Sequence, residues 1–265
     1  MSDLPLQNFG VVVVVYGAGA RKVLENYPAI YEELGRNNIP VVIVDHGAHE
    51  YDPQDFIRPN IRYLKQENKG FGAGVNLGCR ELFKKCEYAF VLNPDLEFSI
   101  SELLDFGAEL NLPFYVLQVK EFGNVCAIFY YNRITGLIAN SPSLGAISYF
   151  NGAAFCISKA CFQRTKGFDE NFFLYFEDVD FSMQLHRLNI PLEILPTNTF
   201  VHEVGGSRTK GMEIFIQRAA AQSALRLVRK WYWFNPWLFI RYSLKWLLAG
   251  VRNPAPGPSK AKISQ

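Results

Sequence analysis

Residues Val11 to Tyr16 read VVVVVY, five β-branched valines and a tyrosine closed by Gly10 and Gly17. Branched side chains restrict χ1 and suit the pleated surface of a strand. A run apolar on both faces must be covered on both faces, which a strand buried in a parallel sheet provides. The following residues keep that pattern. Arg21 to Asn37 carries Val23, Leu24, Tyr27, Ile30, Tyr31 and Leu34 at helical spacing. Val41 to Val44 is a second buried strand ending at Asp45, and Ile61 to Leu64 a short third. Gly74 to Cys86 reads as helix and Tyr88 to Leu92 as strand. Strands alternating with helices predict an open α/β sheet with right-handed crossovers. Such sheets bind ligands at the carboxyl ends of their strands. Tyr16, Asp45 and Asn93-Pro94-Asp95 stand at those ends.

The second half is less regular. Residues 114 to 150 read as irregular strands and loops, Asp178 to Leu188 as helix and Leu192 to Leu195 as strand. From Gly211 the chain changes to long helices. This divides it into a catalytic domain over 1–210, amphipathic helices over 211–252 and a disordered tail over 253–265, where NPAPGPSKAKISQ is Pro-rich and polar. At 265 residues, 49% hydrophobic and 15% aromatic, the chain can bury a sizeable core. A net charge of +2 argues against nucleic acid held by bulk charge. The five cysteines form no CxxC pair, so a zinc site or disulfide framework is not expected. The first ten residues lack the regions of a signal peptide, and no apolar run reaches ~18 residues. The expected location is cytoplasmic.

Four segments carry chemistry. Lys69-Gly70-Phe71-Gly72-Ala73-Gly74-Val75-Asn76 precedes a helix, where glycines admit a close ligand and the helix start favours an anion. Lys69 is placed to meet a phosphate. Asp95 follows Asn93 and Pro94 at a strand end, and one carboxylate plus diphosphate oxygens and water satisfies magnesium. Phe172 to Phe176 leads into Glu177, Asp178 and Asp180, acids that are costly to bury unless paired, metal-bound or catalytic. Acids in a first helical turn can also serve the dipole alone, a reading that suits Asp180. His202 follows Phe200-Val201 and precedes the Gly205-Gly206 turn. Together these point to metal-dependent group transfer with a carboxylate base. Tyr16-Gly17-Ala18-Gly19-Ala20-Arg21-Lys22, with Asp45 downstream, imitates a dinucleotide fingerprint, but Lys22 stands where the third glycine belongs.

NKGFGAGVNLG, VLNPD, NGAAF, GFDENFFLYFEDVD and VHEVGG, in this order, resemble the family 2 glycosyltransferases from about Phe9 to Ser207. The resemblance implies the GT-A fold, a Rossmann-like, mostly parallel sheet flanked by helices. It is nearest to bacterial rhamnosyltransferases of O-antigen and cell-wall polysaccharide assembly, which use dTDP-L-rhamnose and invert the anomeric centre. It implies that Asp178 is the base with Glu177 beside it. By the same resemblance Asp95 and His202 are expected to hold Mg2+ or Mn2+, and Asp45 to contact the nucleotide base or ribose. It further implies that Asn151 and Gly152 line the donor and acceptor pocket and that Tyr16, Lys69, Gly70, Phe71, Asn76 and Asn93 complete the nucleotide-sugar site. The family's Tyr-Asn after the first strand is Tyr16-Gly17 here, and its Asp-Asn-Gly-Ser is Asp45-His46-Gly47-Ala48. The implied acceptor is a saccharide, polyprenyl-diphosphate-linked, at the inner face of the membrane. A catalytically silent sugar-nucleotide-binding or scaffold protein on the same fold, and a nicotinamide or flavin oxidoreductase, are the alternatives.

The C-terminal helices place Arg218, Arg226, Arg229 and Lys230 on one side and Ala220, Ala224, Leu227, Val228 and Trp231 on the other. Arg241 and Lys245 form a stripe in the next apolar segment. With Trp231, Trp233, Trp237 and Trp246 this composition suits an anionic membrane surface. Packing on the catalytic domain or a homodimer contact is the competing reading.

Overall fold

The computed structural model describes residues 8–17, 28–47, 58–121, 123–198, 200–202, 213–231 and 235–252. The start of the first expected helix, the Gly205-Gly206 turn, Trp233 and the Pro-rich tail lie outside them. The valine run forms β1 (Phe9–Val15), buried at every position. It is followed by α1 (Pro28–Arg36), β2 (Val41–Asp45), β3 (Ile61–Lys65), α2 (Phe71–Leu82) and β4 (Tyr88–Leu92). Then come β5 (Leu96–Glu97), α3 (Ile100–Glu109), β6 (Phe114–Leu117), β7 (Val119–Glu121), β8 (Asn124–Cys126), β9 (Ile128–Asn132), β10 (Ile138–Ala139) and β11 (Ala146–Phe150). The chain continues through β12 (Ala154–Ser158), α4 (Lys159–Thr165), α5 (Glu177–Arg187), β13 (Glu193–Leu195), β14 (Val201–His202), α6 (Glu213–Trp231) and α7 (Pro236–Arg252).

Seven strands form the central sheet in the order β13-β6-β12-β4-β1-β2-β3. β1 lies between β2 and β4 and is parallel to both, which explains why neither of its faces is polar. β12 alone runs against its neighbours, pairing antiparallel with β4 and β6. One face packs Val13, Phe90, Leu103 and Phe200; the other packs Val12, Val75, Phe155 and Phe181. Each such side chain, fully buried, contributes on the order of 1.5–3 kcal/mol. The sheet is therefore the rigid base on which the strand ends are held.

Residues 114 to 150, expected to be irregular strands and loops, supply β6 to the central sheet and contribute to two smaller sheets. β9 pairs with β10 and β11, and β14 joins β5 to β7. Short strands of mixed polarity carry little periodic signal, and their pairing is set by distant partners. The C-terminal helices are not a loose appendage. Leu227 and Trp231 of α6 pack with Tyr131, Tyr149, Phe172 and Val179. No helix among the described residues is long and apolar enough to cross a membrane.

Candidate active site

The chemistry gathers at the carboxyl ends of β1 and β4. A cavity of about 650 Å³ is lined there by Tyr16, His46, Gly70, Asn93, Asp95, Gly152, Tyr175, Glu177 and His202, among others. A larger space of about 820 Å³ lies at the opposite strand ends, by Pro40, Val41 and Ile61. Its charged groups pair among themselves, Arg36 with Glu32 and Arg62 with Glu81, so they offer no cluster of free acids. Ligands of open α/β sheets belong at the carboxyl ends.

One wall is built by β4, β7 and β14. Pro94 ends β4 and presents Asp95, which is buried. β14 pairs with β5 in the register His202 opposite Leu96, which brings His202 Nε2 to 3.1 Å from Asp95 Oδ1. The parallel pairing of β14 with β7 adds Glu121, whose Oε1 lies 2.7 Å from His202 Nδ1. Asn151 Nδ2 donates to the same Glu121 oxygen at 2.9 Å. Burial opposes the charged imidazolium, but the hydrogen bonds to Asp95 and Glu121 and their charges outweigh it, and the His202 pKa rises to about 9. The His202 hydrogen bond in turn holds Glu121 below the usual carboxylate range.

These residues fit a divalent cation. A histidine that gives one ring nitrogen to a carboxylate is oriented to ligate with the other. Glu121 is that carboxylate, and Nε2 is then aimed at the Asp95 oxygen. Among the described residues no group of three or more His, Cys, Asp or Glu side chains is arranged to hold a metal ion. Asp95 and His202 would by themselves be a partial ligand set, of the kind that diphosphate oxygens and water complete.

The opposite wall is the aromatic segment and the start of α5. Tyr175 and Phe176 both hold positive φ, 64° and 65°, a conformation L-residues adopt at a cost of about 1–3 kcal/mol each. Two strained residues in series turn the chain sharply into α5, and Glu177 then faces the cavity. Glu177 Oε2 is shielded from solvent and has no hydrogen-bond partner among the described residues. Burial, followed by the Asp178 carboxylate, raises the Glu177 pKa. Burial likewise raises Asp178, partly offset by backbone N–H groups, including that of Val179 at 2.8 Å. Asp178 borders Gly152: a side chain there would begin 3.7 Å from Asp178 Cβ and 3.9 Å from its Oδ2.

The other expected residues divide. Tyr16, Gly70, Phe71, Asn93 and Gly152 line the cavity. Gly70 has φ 98° and meets the backbone of Phe173 so closely that a Cβ would stand 2.2 Å from its carbonyl oxygen, so glycine is required for loop packing. Lys69 is exposed and off the cavity. Asn76 is buried and clamps α2 to the segment before the acids, donating to Phe168 O at 2.9 Å and accepting from Phe168 N at 2.8 Å. Asn151 acts through Glu121. Asp45 is buried at the end of β2, accepting from Gly47 N at 2.6 Å and from the Tyr63 hydroxyl, and its neighbour His46 lines the cavity instead.

Sequence reasoning missed Glu121, which belongs to no motif and reaches His202 only through strand pairing. It also missed Phe215 and Ile216 of α6, which line the cavity although they belong to the C-terminal helices. Asp180 is not a mere dipole partner. It is fully buried, 2.9 Å from Lys230 Nζ, and accepts from Trp231 Nε1 at 2.6 Å and Gln184 Nε2 at 2.9 Å. Lys230 also reaches Asp169 at 2.9 Å. Lys230 and Trp231, expected at a membrane surface, thus tie α6 to α5 beside the acids.

Comparison with known proteins agrees with this architecture. No family model matches the chain. The chain is 23% identical to the N-acetylglucosaminyl-diphospho-decaprenol L-rhamnosyltransferase of Mycobacterium tuberculosis, over 72% of its own length and 75% of that protein. It is 25% identical to the low-salt glycan biosynthesis hexosyltransferase Agl10 of Haloferax volcanii, over 70% of its own length and 64% of that protein. A mannosyltransferase of Pyrobaculum calidifontis, solved with GDP-Man and Mn2+, superposes with a TM-score of 0.55 at 14% identity, covering 95% of this chain and 77% of the other. S. aureus TarS, residues 1–349, superposes with a TM-score of 0.51 at 13% identity, covering 97% and 75%. The resemblance read from the sequence is borne out at modest identity: the chain has the GT-A fold, and its curated relatives are glycosyltransferases of the family 2 kind.

Proposed function

We propose that the protein is an inverting glycosyltransferase that moves a sugar from a nucleotide-sugar donor to a saccharide acceptor. The observation that carries this reading is one cavity with Glu177 on one wall and Asp95 with His202 on the other, Asp178 standing just behind the lining residue Gly152. Asp178 takes the proton of the acceptor hydroxyl. That oxygen attacks the anomeric carbon from the face opposite the diphosphate, and the bond to the diphosphate oxygen breaks with its electron pair leaving on the diphosphate. Glu177 holds a raised pKa beside Asp178 and keeps the pair sensitive to proton count. Asp95 and His202 would hold Mg2+ or Mn2+, with His202 oriented by Glu121. The cation supplies charge neutralisation to the leaving group when bound. The donor is dTDP-L-rhamnose and the acceptor lipid-linked, a choice supported by the relative named for rhamnosyl transfer to a diphospho-decaprenol acceptor.

α7 supports a place at the cytoplasmic membrane face. It exposes Trp237, Phe239, Ile240, Leu244, Trp246 and Leu247, while Leu238 and Tyr242 pack inward. The cation of Arg218 lies 5.6 Å from the Trp246 ring. An apolar outer face with cations beside it suits an anionic lipid surface.

A thermal-shift panel of nucleotide sugars tests the reading, with and without magnesium or manganese. dTDP-L-rhamnose should raise the Tm most, and more with metal. Mass spectrometry should then detect dTDP release on adding a lipid-linked N-acetylhexosamine. No shift with any nucleotide sugar removes the proposal.

A further inference from the structure

A groove of about 570 Å³ runs between α6 and α7 and has no part in the mechanism above. Phe176 lines it, while the next residue, Glu177, lines the catalytic cavity. Ala220 and Ala221 of α6 and Leu244 and Leu248 of α7 form its apolar walls, and Arg241 and Lys245 supply its charge. On α6 the boundary between the two cavities is equally narrow: Phe215 and Ile216 face the catalytic cavity and Gln217 the groove.

The two cations differ in surroundings: Lys245 is exposed, with its Nζ 5.8 Å from the Tyr242 ring centroid, and Arg241 is half-buried. Neither Arg241 nor Lys245 has a carboxylate within ion-pair distance among the described residues. Arg241 Nε is shielded from solvent and has no hydrogen-bond partner among the described residues. A shielded donor without an acceptor is costly, and like charges four residues apart on a helix repel. Burial, then the Arg241 charge, lowers the Lys245 pKa. A multivalent anion would relieve the bare donor and the repulsion together. The apolar walls add a second requirement, since an inorganic anion would leave them uncovered. An amphiphile with a diphosphate head satisfies both.

We propose that this groove seats the isoprenyl diphosphate end of a lipid-linked acceptor, the diphosphate against Arg241 and Lys245, the first isoprene units against Leu244 and Leu248, and Phe176 on the side where the sugar leaves for the catalytic cavity. The proposal rests on the glycosyltransferase reading and adds a site for the acceptor's carrier. The one-residue step from Phe176 to Glu177 puts the carrier next to the catalytic pair, so the sugar attached to the diphosphate is delivered to Asp178. The exposed face of α7 continues the apolar wall outward to where a longer chain would meet lipid.

Titration calorimetry on the full chain with farnesyl diphosphate, in magnesium and saturating dTDP, tests this. Saturating dTDP keeps the probe off the donor site. The wild type should bind farnesyl diphosphate, and farnesol and inorganic diphosphate at least about tenfold more weakly, because each meets only half of the site. Arg241→Gln with Lys245→Gln should weaken farnesyl diphosphate by at least about tenfold and leave dTDP affinity unchanged. Ala220→Phe, which fills the groove and keeps both cations, should weaken it as well and guards against misfolding of the double variant. Unchanged affinity in both variants overturns the proposal, as does inorganic diphosphate binding as tightly as farnesyl diphosphate. If the double variant loses binding to phosphatidylglycerol vesicles and keeps farnesyl diphosphate, the cations serve lipid headgroups and the proposal fails. If the wild type binds dTDP-sugar but no farnesyl diphosphate, the groove assignment falls and the glycosyltransferase reading stands. The reverse pattern sinks that reading and leaves the groove.

Discussion

At the residue scale the site depends on carboxyl groups kept in unequal surroundings. Asp178→Asn keeps the shape but cannot accept a proton, so transfer should fall by about 10²–10⁴-fold with donor affinity nearly intact. Steady-state kinetics beside calorimetry separates the two, and near-normal turnover would clear Asp178 of the role. Burial raises both Glu177 and Asp178. A base must be deprotonated to act, so the acid limb of the kcat/KM profile should lie above the ordinary carboxylate range near 4. The same shift has a stability consequence of definite sign. A carboxyl with a raised folded pKa binds more protons folded than unfolded between the two values, so it lowers stability as pH rises through that window. Glu177→Gln should therefore raise the Tm at pH 8 and lose that advantage by pH 4, as differential scanning calorimetry would read. Across the cavity, Asp95→Ala should weaken nucleotide-sugar binding in metal and erase its metal dependence. Titration curves that stay the same in Mn2+ and in chelator-treated buffer are expected only of the variant, and a wild-type curve of that kind removes the metal assignment.

The element scale is decided by the contact between α5 and α6. Lys230 and Trp231 close over Asp180, which has almost no exposed surface. Removing one partner from a buried ion pair costs about 3–5 kcal/mol in the usual range, because the remaining charge is stranded. Lys230 is itself a third exposed, and Trp231 and Gln184 still hydrogen-bond Asp180, so Lys230→Met should cost less than that range, about 1–3 kcal/mol. Arg229, exposed on the same helix, gives the control: Arg229→Ala should change stability by less than about 0.5 kcal/mol. Urea denaturation compares the two, and equal costs would show that the pair is not holding α5. The sequence placed Lys230 on a basic stripe because a helical wheel knows only its own helix. Which face meets a carboxylate from Asp169 or Asp180, about fifty to sixty residues upstream, is a property of packing. In contrast, β1, β2 and β4 were legible nearly to the residue, since a strand buried on both faces writes its burial directly into an apolar run.

At the scale of the whole molecule, α6 cannot be removed without opening the core around Tyr131, Phe172 and Leu227, so its role at a membrane must be read from its surface and that of α7. Full-length protein should sediment with anionic vesicles at low salt and less at high salt, each basic residue near the surface contributing about 1 kcal/mol. Trp237→Ser with Ile240→Ser and Leu247→Ser should abolish that binding and leave the melting curve in place, because these side chains are exposed. Unchanged sedimentation of the triple variant would remove these side chains from the membrane contact, and wild-type protein that ignores both kinds of vesicle would favour core packing or a contact between copies, the latter visible as a change in mass by light scattering.

The sequence by itself determined the parallel sheet and singled out the strand ends and the acids that the structure gathers there, because these follow from local periodicity and from residue types that are costly to bury without purpose. It also determined the family likeness, which the order of short motifs carries. The partners of those acids were left to the tertiary structure. Glu121 meets His202 through a pairing that spans 81 residues, and Asp180 meets Lys230 across 50. Phe215 meets the catalytic cavity from a helix that reads as a separate appendage. Such contacts are set by how strands register and helices dock, and a one-dimensional pattern encodes the need to bury a face but not which distant group will cover it.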